Sequence, residues 1–555
     1  MKLKLGRNTF DLESATIDKA LRARSERFPD RNFLTHLPDS RRYSYGSIDE
    51  LTWRFGAGLR NVGLERGAHV AVLMENSPEQ LIAIWGAVRA AMVAVPLNSA
   101  AKGQLLSYFL NKSECEAIVL EAHLLPRFLE VAASVPAVTR IIVAAACRPG
   151  ADSDSQPNTS GTGGNSLASF KFSELLDASV AGNEAEHPAH FSDLAMLMFT
   201  SGTTGPSKAI MFSQAQLIYW GTDVAIHHEY TQDDTAYVYL PLFHGNALLG
   251  STMGSFMAGA SVALTHRFSA RAFWGEVKKS GATVFNSVGA VTNFLWARPP
   301  SPEDHDHSVQ RCHLTPVPKF AAEFEARYGV KIMSAFGLTD YCLGASYNTK
   351  SRRDKLGAAG VPRQDVEIRI VDEYDRDMPV REPGEIIMRN QCPWGASMGY
   401  YNAPEATLES RRNLWFHTGD RGFFDEDGYL WYTDRLKDAI RRRGENISAF
   451  EVEEVIRSHP SVAEVAVYPV RSELSEDEVG ATLVLKEGAV WAPEEIVEHC
   501  NRNLAYFMVP RYLDVVHEMP TTLSQKIEKY KLKAQVESDL SRVWDRERGK
   551  LTLER

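Results

Sequence analysis

At 555 residues the chain exceeds what one hydrophobic core usually sustains, so two or more domains are expected. Its 44% hydrophobic and 24% charged residues are those of an ordinary globular protein. With 61 basic against 71 acidic side chains the net charge is −10, which argues against nucleic acid as a main partner.

The N-terminal run Met1-Lys2-Leu3-Lys4-Leu5-Gly6-Arg7-Asn8 is positively charged, but no apolar segment follows it, so it does not read as a signal peptide. Strand-like and helical patterns then alternate: strand at 69–74, helix at 78–91, strand at 93–97, helix at 105–112, strand at 116–120. This rhythm predicts a parallel, doubly wound sheet. The longest apolar stretch, 81–97, carries Arg89 and Pro96 and reads as a buried helix running into a strand, not as a membrane span. Residues 149–166 hold almost no apolar side chains and read as a mobile surface insertion.

The run Met198-Phe199-Thr200-Ser201-Gly202-Thr203-Thr204-Gly205-Pro206-Ser207-Lys208-Ala209 interleaves hydroxyls and glycines and closes on lysine. Glycines let backbone N–H groups approach an anion, hydroxyls add donors, and lysine neutralises charge, so the loop is suited to polyphosphate. Apolar runs at 194–199 and 210–212 flank it. Lys208 has no glycine before it, so the P-loop NTPase pattern fails. Six scattered cysteines form no CxxC pair, which speaks against zinc or a disulfide framework and for a cytoplasmic location.

A domain boundary falls near Asp434-Arg435-Leu436-Lys437-Asp438, dividing residues 1–434 from 435–555. Beyond it the pattern is α+β: helix at 450–458, strands at 462–467 and 480–485, helix at 493–504, strand at 512–516. About 120 residues is a normal size for a small domain. The expected class is therefore α/β: a large N-terminal domain of doubly wound sheets packed with helices, followed by a small mobile α+β domain.

Further motifs follow the loop in order: Phe336-Gly337-Leu338-Thr339-Asp340, then Trp415-Phe416-His417-Thr418-Gly419-Asp420, then Asp434-Arg435-Leu436-Lys437-Asp438 leading into Arg443-Gly444-Glu445-Asn446-Ile447-Ser448, and finally Pro520-Thr521-Thr522-Leu523-Ser524-Gln525-Lys526. Together they resemble the signature motifs of the adenylate-forming superfamily over nearly the whole chain. Within it, Pro241-Leu242-Phe243-His244-Gly245-Asn246 and the Gly444 motif look most like the acyl-CoA ligases, including those for carnitine-like and medium-chain acids.

The resemblance implies ATP and coenzyme A as co-substrates, Mg²⁺ as cofactor, and a small carboxylic acid activated as its acyl-adenylate. No membrane span is expected, and a homodimer is left open. Lys526 matches the family's catalytic lysine, a point cation able to bridge carboxylate and α-phosphate. Taken alone, with Lys529, Lys531 and Lys533 nearby, it reads as a solvated lysine. Gln525 stands where the family usually has glycine. Thr200, Ser201, Gly202, Thr203, Thr204, Gly205 and Lys208 would surround the phosphates. Phe336 would offer a face to adenine, Gly337 belongs to the same nucleotide site, Thr339 would reach the α-phosphate, and Asp420 would chelate the ribose hydroxyls.

Asp340 stands where the family normally has glutamate, and with Thr200 it is the implied Mg²⁺ ligand. Arg435, Lys437 and Arg441 would reach the nucleotide, Lys437 also marking the hinge, whereas Arg442 is expected to be solvated. Gly444, with Glu445 and Asn446, would border the pantetheine arm. His244, Asn246 and Gly289 fall in the acid site by resemblance. A lone histidine after an apolar run reads equally as structural or as a gate. Gly337 implies room for an acid beyond two or three carbons, because acetate-specific relatives carry tryptophan there. Two alternatives stay open: a carrier-protein pantetheine as acceptor, and a nucleotide-binding regulator with degraded catalysis.

Overall fold

The computed structural model describes residues 2–5, 8–145, 167–177, 188–200, 206–435, 440–472, 476–520, 527–549 and 553. Its first sheet has seven strands in the spatial order Lys208–Ser213, Leu194–Thr200, Val93–Pro96, His69–Leu73, Ala117–Glu121, Arg140–Ala144, Ala168–Lys171. All neighbours are parallel except the first hairpin, where Thr200 pairs with Lys208 in antiparallel register. The central strands are buried along their length because helices cover both faces.

The helix Pro78–Arg89 starts where the Ser77 side chain accepts from the Gln80 N–H, with proline in the first turn. Every residue in it but Glu79 is buried, including Arg89. That charge is tolerated because Arg89 meets Asp18 and Asp49, each at 2.7 Å. The stretch 81–97 is thus the helix and strand its sequence suggests, and no described helix is long and apolar enough to cross a membrane.

The second sheet runs Val361–Pro362, Leu343–Tyr347, Lys331–Gly337, Arg311–Thr315, Val284–Val288, Thr235–Val238, Ser261–Leu264, Asn32–His36, Arg42–Ser44. It is parallel through its centre and antiparallel at both edges. The doubly wound pattern therefore holds in the interior of both sheets. A third, four-stranded antiparallel sheet, Val366–Val371, Gly384–Asn390, Phe416–Phe424 and Leu430–Arg435, has no counterpart in the sequence reading. Its strands mix charged and apolar positions without strict alternation, as in the burial of Val366–Val371, so period two is weak there.

The smaller C-terminal domain opens with the hairpin Ile440–Arg442 and Glu445–Ile447. Helices Ala449–Arg457, Pro493–Asn503 and Lys529–Ser538 then pack with a four-stranded sheet of Val462–Arg471, Asp477–Leu485, Tyr512–Val515 and Trp544–Asp545. The first strand continues past the expected end at 467 because cross-strand pairing carries on to Arg471 and Asp477. Arg442, expected to be solvated, is instead buried. Its guanidinium meets Glu478 at 2.6 Å and donates to the carbonyls of Phe507 and Val509. The insertion at 149–166 lies outside the described residues.

Candidate active site

The two sheets and the small domain converge on a cavity of about 1010 Å³. Thr200, Lys208, His244, Asn246, Gly337, Thr339, Asp340, Arg441, Gly444 and Glu445 all line it, so residues from motifs scattered along the chain share one space.

At its polar end the Thr200 hydroxyl, closing its strand, donates to Oδ1 of Asp340 at 3.3 Å. The Tyr400 hydroxyl donates to the same oxygen at 2.8 Å. Lys208 holds its ammonium 4.8 Å from the centre of the Tyr400 ring. Tyr400 arrives because residues 398–401 run beside the strand Lys208–Ser213, with the Met211 N–H donating to Gly399 and Tyr401 to Ala209. Thr200 and Asp340 supply hard oxygen donors within 3.3 Å of each other, a donor set that fits Mg²⁺.

Asp420 is buried beside this region but is not part of the cavity wall; its backbone N–H donates to the Thr418 hydroxyl at 3.0 Å. Thr418 and Gly419 do line the wall, as do Glu385, Arg412 and His417, whose Nδ1 lies 3.0 Å from Glu385 and 3.2 Å from Arg412. Phe336 sits in the core beside Tyr432, behind the wall.

Gly337 lines the cavity, yet a Cβ there would stand 2.6 Å from Leu343 Cα and 2.7 Å from the Cys342 carbonyl. The glycine is required by the close antiparallel approach of Leu343–Tyr347. The apolar end of the cavity is lined by Tyr239, Phe268, Val291 and Phe294. Asn246 begins a π-helical turn, Asn246–Met253, and accepts from Asn286 Nδ2 at 2.9 Å. Gly289 lies just outside, between Pro316 and Glu476.

The small domain closes the cavity with its first hairpin. Arg443 and Gly444 have φ of 55° and 83°, the two left-handed centres of a tight hairpin turn. A Cβ on Gly444 would meet Val288 Cγ2 at 2.9 Å, so the turn grazes the large domain. Beside it His244 Nε2 stands 2.8 Å from Glu445 Oε2. Burial pulls the His244 imidazole down, but the charge and hydrogen bond of Glu445 outweigh it and hold the group above its ordinary value. A second junction joins the Ser207 N–H to Glu451 Oε1 at 2.8 Å, and burial pushes the Glu451 carboxyl up.

Asn446 pairs through its backbone with Arg441, and Arg435 with Asp420. Ser201, Gly202, Thr203, Thr204, Gly205, Lys437 and Lys526 lie outside the described residues.

The sequence reading overlooked Tyr400, Tyr239, Phe268, Phe294, Arg412, Tyr506 and Phe507, all on the cavity wall. The cluster Gly399-Tyr400-Tyr401-Asn402 was a readable signal, a glycine and two aromatics between polar neighbours. The apolar-end residues come from separate elements with no spacing to link them.

Two mixed sheets and a third antiparallel sheet, capped by a small domain, thus enclose one cavity with a hydroxyl–carboxylate end and an aromatic end. The profile of the AMP-binding enzyme family matches residues 21–401, and that of the AMP-binding enzyme C-terminal domain matches 451–526. The chain belongs to the AMP-binding enzyme family. It is 29% identical over 496 residues to the crotonobetaine/carnitine–CoA ligase of Citrobacter koseri, covering 89% of this chain and 93% of that one. Against the ligase of the same name from Escherichia fergusonii, identity is also 29%, with the same coverage. In fold the chain is similar to o-succinylbenzoate CoA synthetase from Bacillus subtilis, with a TM-score of 0.77 and 24% identity over 93% of this chain and 98% of that chain. The amide bond synthetase of Marinactinospora thermotolerans is similar too, with a TM-score of 0.77 and 24% identity over 94% and 99%.

Proposed function

We propose that the protein is an AMP-forming acid–thiol ligase that converts a carboxylic acid, ATP and coenzyme A into acyl-CoA, AMP and pyrophosphate. The acid is longer than acetate or propionate. The observation that carries this reading is the hairpin turn at Gly444 seated over a cavity that has a hydroxyl–carboxylate end and an aromatic end.

Both reactants of the first step are anions, so the site has to offset their repulsion and hold them in line. A carboxylate oxygen attacks the α-phosphorus and pyrophosphate leaves. Thr339, Lys208 and the 201–205 loop orient the phosphates, and Lys526 bridges carboxylate and α-phosphate. Thr200 and Asp340 would hold Mg²⁺, which offsets phosphate charge. Asp420, Arg435, Arg441 and Phe336 serve the nucleoside; Phe336 and Asp420 act from just behind the wall. In the second step the thiol attacks the acyl carbon, AMP leaves and the thiol proton passes to solvent. Gly444, Glu445 and Asn446 border the thiol path, and His244 with Glu445 holds the hairpin in place.

Residues 1–434 and 435–555 move as two domains about Lys437, so that Lys526 and Gly444 serve in turn. With ATP and coenzyme A as substrates, the cytoplasm is the place of work.

The test is AMP release across a panel of straight, branched, aromatic and trimethylammonium acids, with free coenzyme A or a carrier protein as acceptor. Acid-dependent AMP release with coenzyme A is expected. Release only with a carrier protein would change the acceptor, and no release with any acid would leave a nucleotide-binding regulator.

A further inference from the structure

Beside the cavity, whose wall includes Glu75 and His123, the side chains of Glu75, Glu121 and His123 offer one ligand atom each within 4.8 Å of one another. We propose that these three residues bind a divalent transition-metal ion of the zinc type.

The placement follows from topology. His69–Leu73 is flanked by Val93–Pro96 on one side and Ala117–Glu121 on the other. The chain leaving the first strand goes to one side and the chain leaving the third goes to the other. That divergence opens a crevice at the carboxyl ends of parallel strands, where open α/β sheets receive ligands. Glu75 follows the first strand, Glu121 ends its neighbour, and His123 lies in the turn just after it. Glu75 and His123 line the cavity, so the site borders it.

Glu121 is the independent sign of a cation site. Its side chain is 0% exposed. Its Oε1 accepts from the Glu75 N–H at 2.9 Å, but its Oε2, also buried, receives no hydrogen bond. A buried carboxylate oxygen without a donor is costly, and a bound cation removes that cost. His123 Nδ1 stands 3.3 Å from that oxygen. Ligand atoms around a tetrahedral ion with bonds of about 2.0–2.1 Å stand roughly 3.3 Å apart, so this pair already has the right spacing.

His123 Nε2 lies 3.7 Å from Glu75 Oε2, and that oxygen also meets His266 Nε2 at 2.9 Å. His266 follows the strand Ser261–Leu264 of the second sheet, so it orients Glu75 from across the sheet junction, the usual task of a group behind a metal ligand. An imidazole among the donors favours zinc-type ions over Mg²⁺, which prefers oxygen alone. The ion would pin the ends of two strands together, and through Glu75 tie them to the second sheet.

The experiment is calorimetric titration of the full chain, stripped with chelator, with ZnCl₂ in excess Mg²⁺. One zinc per chain is expected, with X-ray absorption giving N/O distances of about 2.0 Å. E121Q and H123A should each weaken binding at least about tenfold. H123A, at a partly exposed position, decides the matter if E121Q fails to fold. Absence of saturable zinc binding in the wild type, or unchanged affinity in a folded H123A, overturns the proposal. The readout is metal binding, so it is independent of ligase activity.

Discussion

Two faces of the small domain stand in opposite relation to the cavity. The hairpin around Gly444 sits inside it: Arg441, Arg443, Gly444 and Glu445 are all wall residues. The residues flanking 521–526 do not reach it. Ile527 packs on the domain's own core beside Tyr468 and Met519, the Glu528 N–H returns to Pro520, and Lys529 meets Glu453 at 2.6 Å. Among the described residues, none from 516–520 or 527–531 lines the cavity. Under the proposed mechanism, which needs both Gly444 and Lys526, the lobe would turn between the two steps.

The most forceful way to break this comparison is Lys526→Ala. Acid-dependent pyrophosphate release should fall about 10²–10³-fold, whereas thiol attack on pre-made acyl-adenylate should persist. Equal loss of both half-reactions would remove the division between the two faces. The reciprocal change, Gly444→Leu, introduces a side chain at φ 83° against Val288. Thioester formation should drop about a hundredfold with adenylation retained, read from burst and steady-state kinetics of AMP.

Asp340→Ala touches only the large domain. It should raise the Mg²⁺ requirement of adenylation by about 10–100-fold and leave thiolysis little changed, measured by metal titration of each half-reaction. Phe268→Ala, at the apolar end, should shift preference toward bulkier acids by about tenfold in kcat/KM across the acid panel.

The smallest effect is that of pH on docking. His244 is held above its ordinary value by Glu445, so its contribution to docking is complete below about 6.5 and is lost as pH rises through the raised value. Energy transfer between dyes on the two domains should report lower docking at alkaline pH, and a flat profile in His244→Ala.

Much of this was legible in the sequence. Residues 69–120 alternate in type with clear periods, and the structure places their elements within a few residues of the expected ends. Thr200, Thr339, Asp340, His244 and Gly444 were singled out by family resemblance, and the structure brings all five to one cavity wall. The antiparallel sheet at 366–435 was not, because its strands are half-exposed and charged. Arg442 was misread for a related reason: a basic run gives no hint of which member faces Glu478. The aromatic end of the cavity was illegible because Tyr239, Phe268 and Phe294 meet only through tertiary packing.

The hydrogen bond from the Ser207 amide to Glu451 carries a consequence for traffic through the enzyme. With the lobe seated, the Glu451 carboxyl holds the amide just before Lys208, so a fresh triphosphate entering there has to compete for that donor. Excess ATP should consequently retard turnover by holding the lobe off, and Glu451→Gln should relieve that brake. A rate that climbs monotonically with ATP in both proteins would deny it.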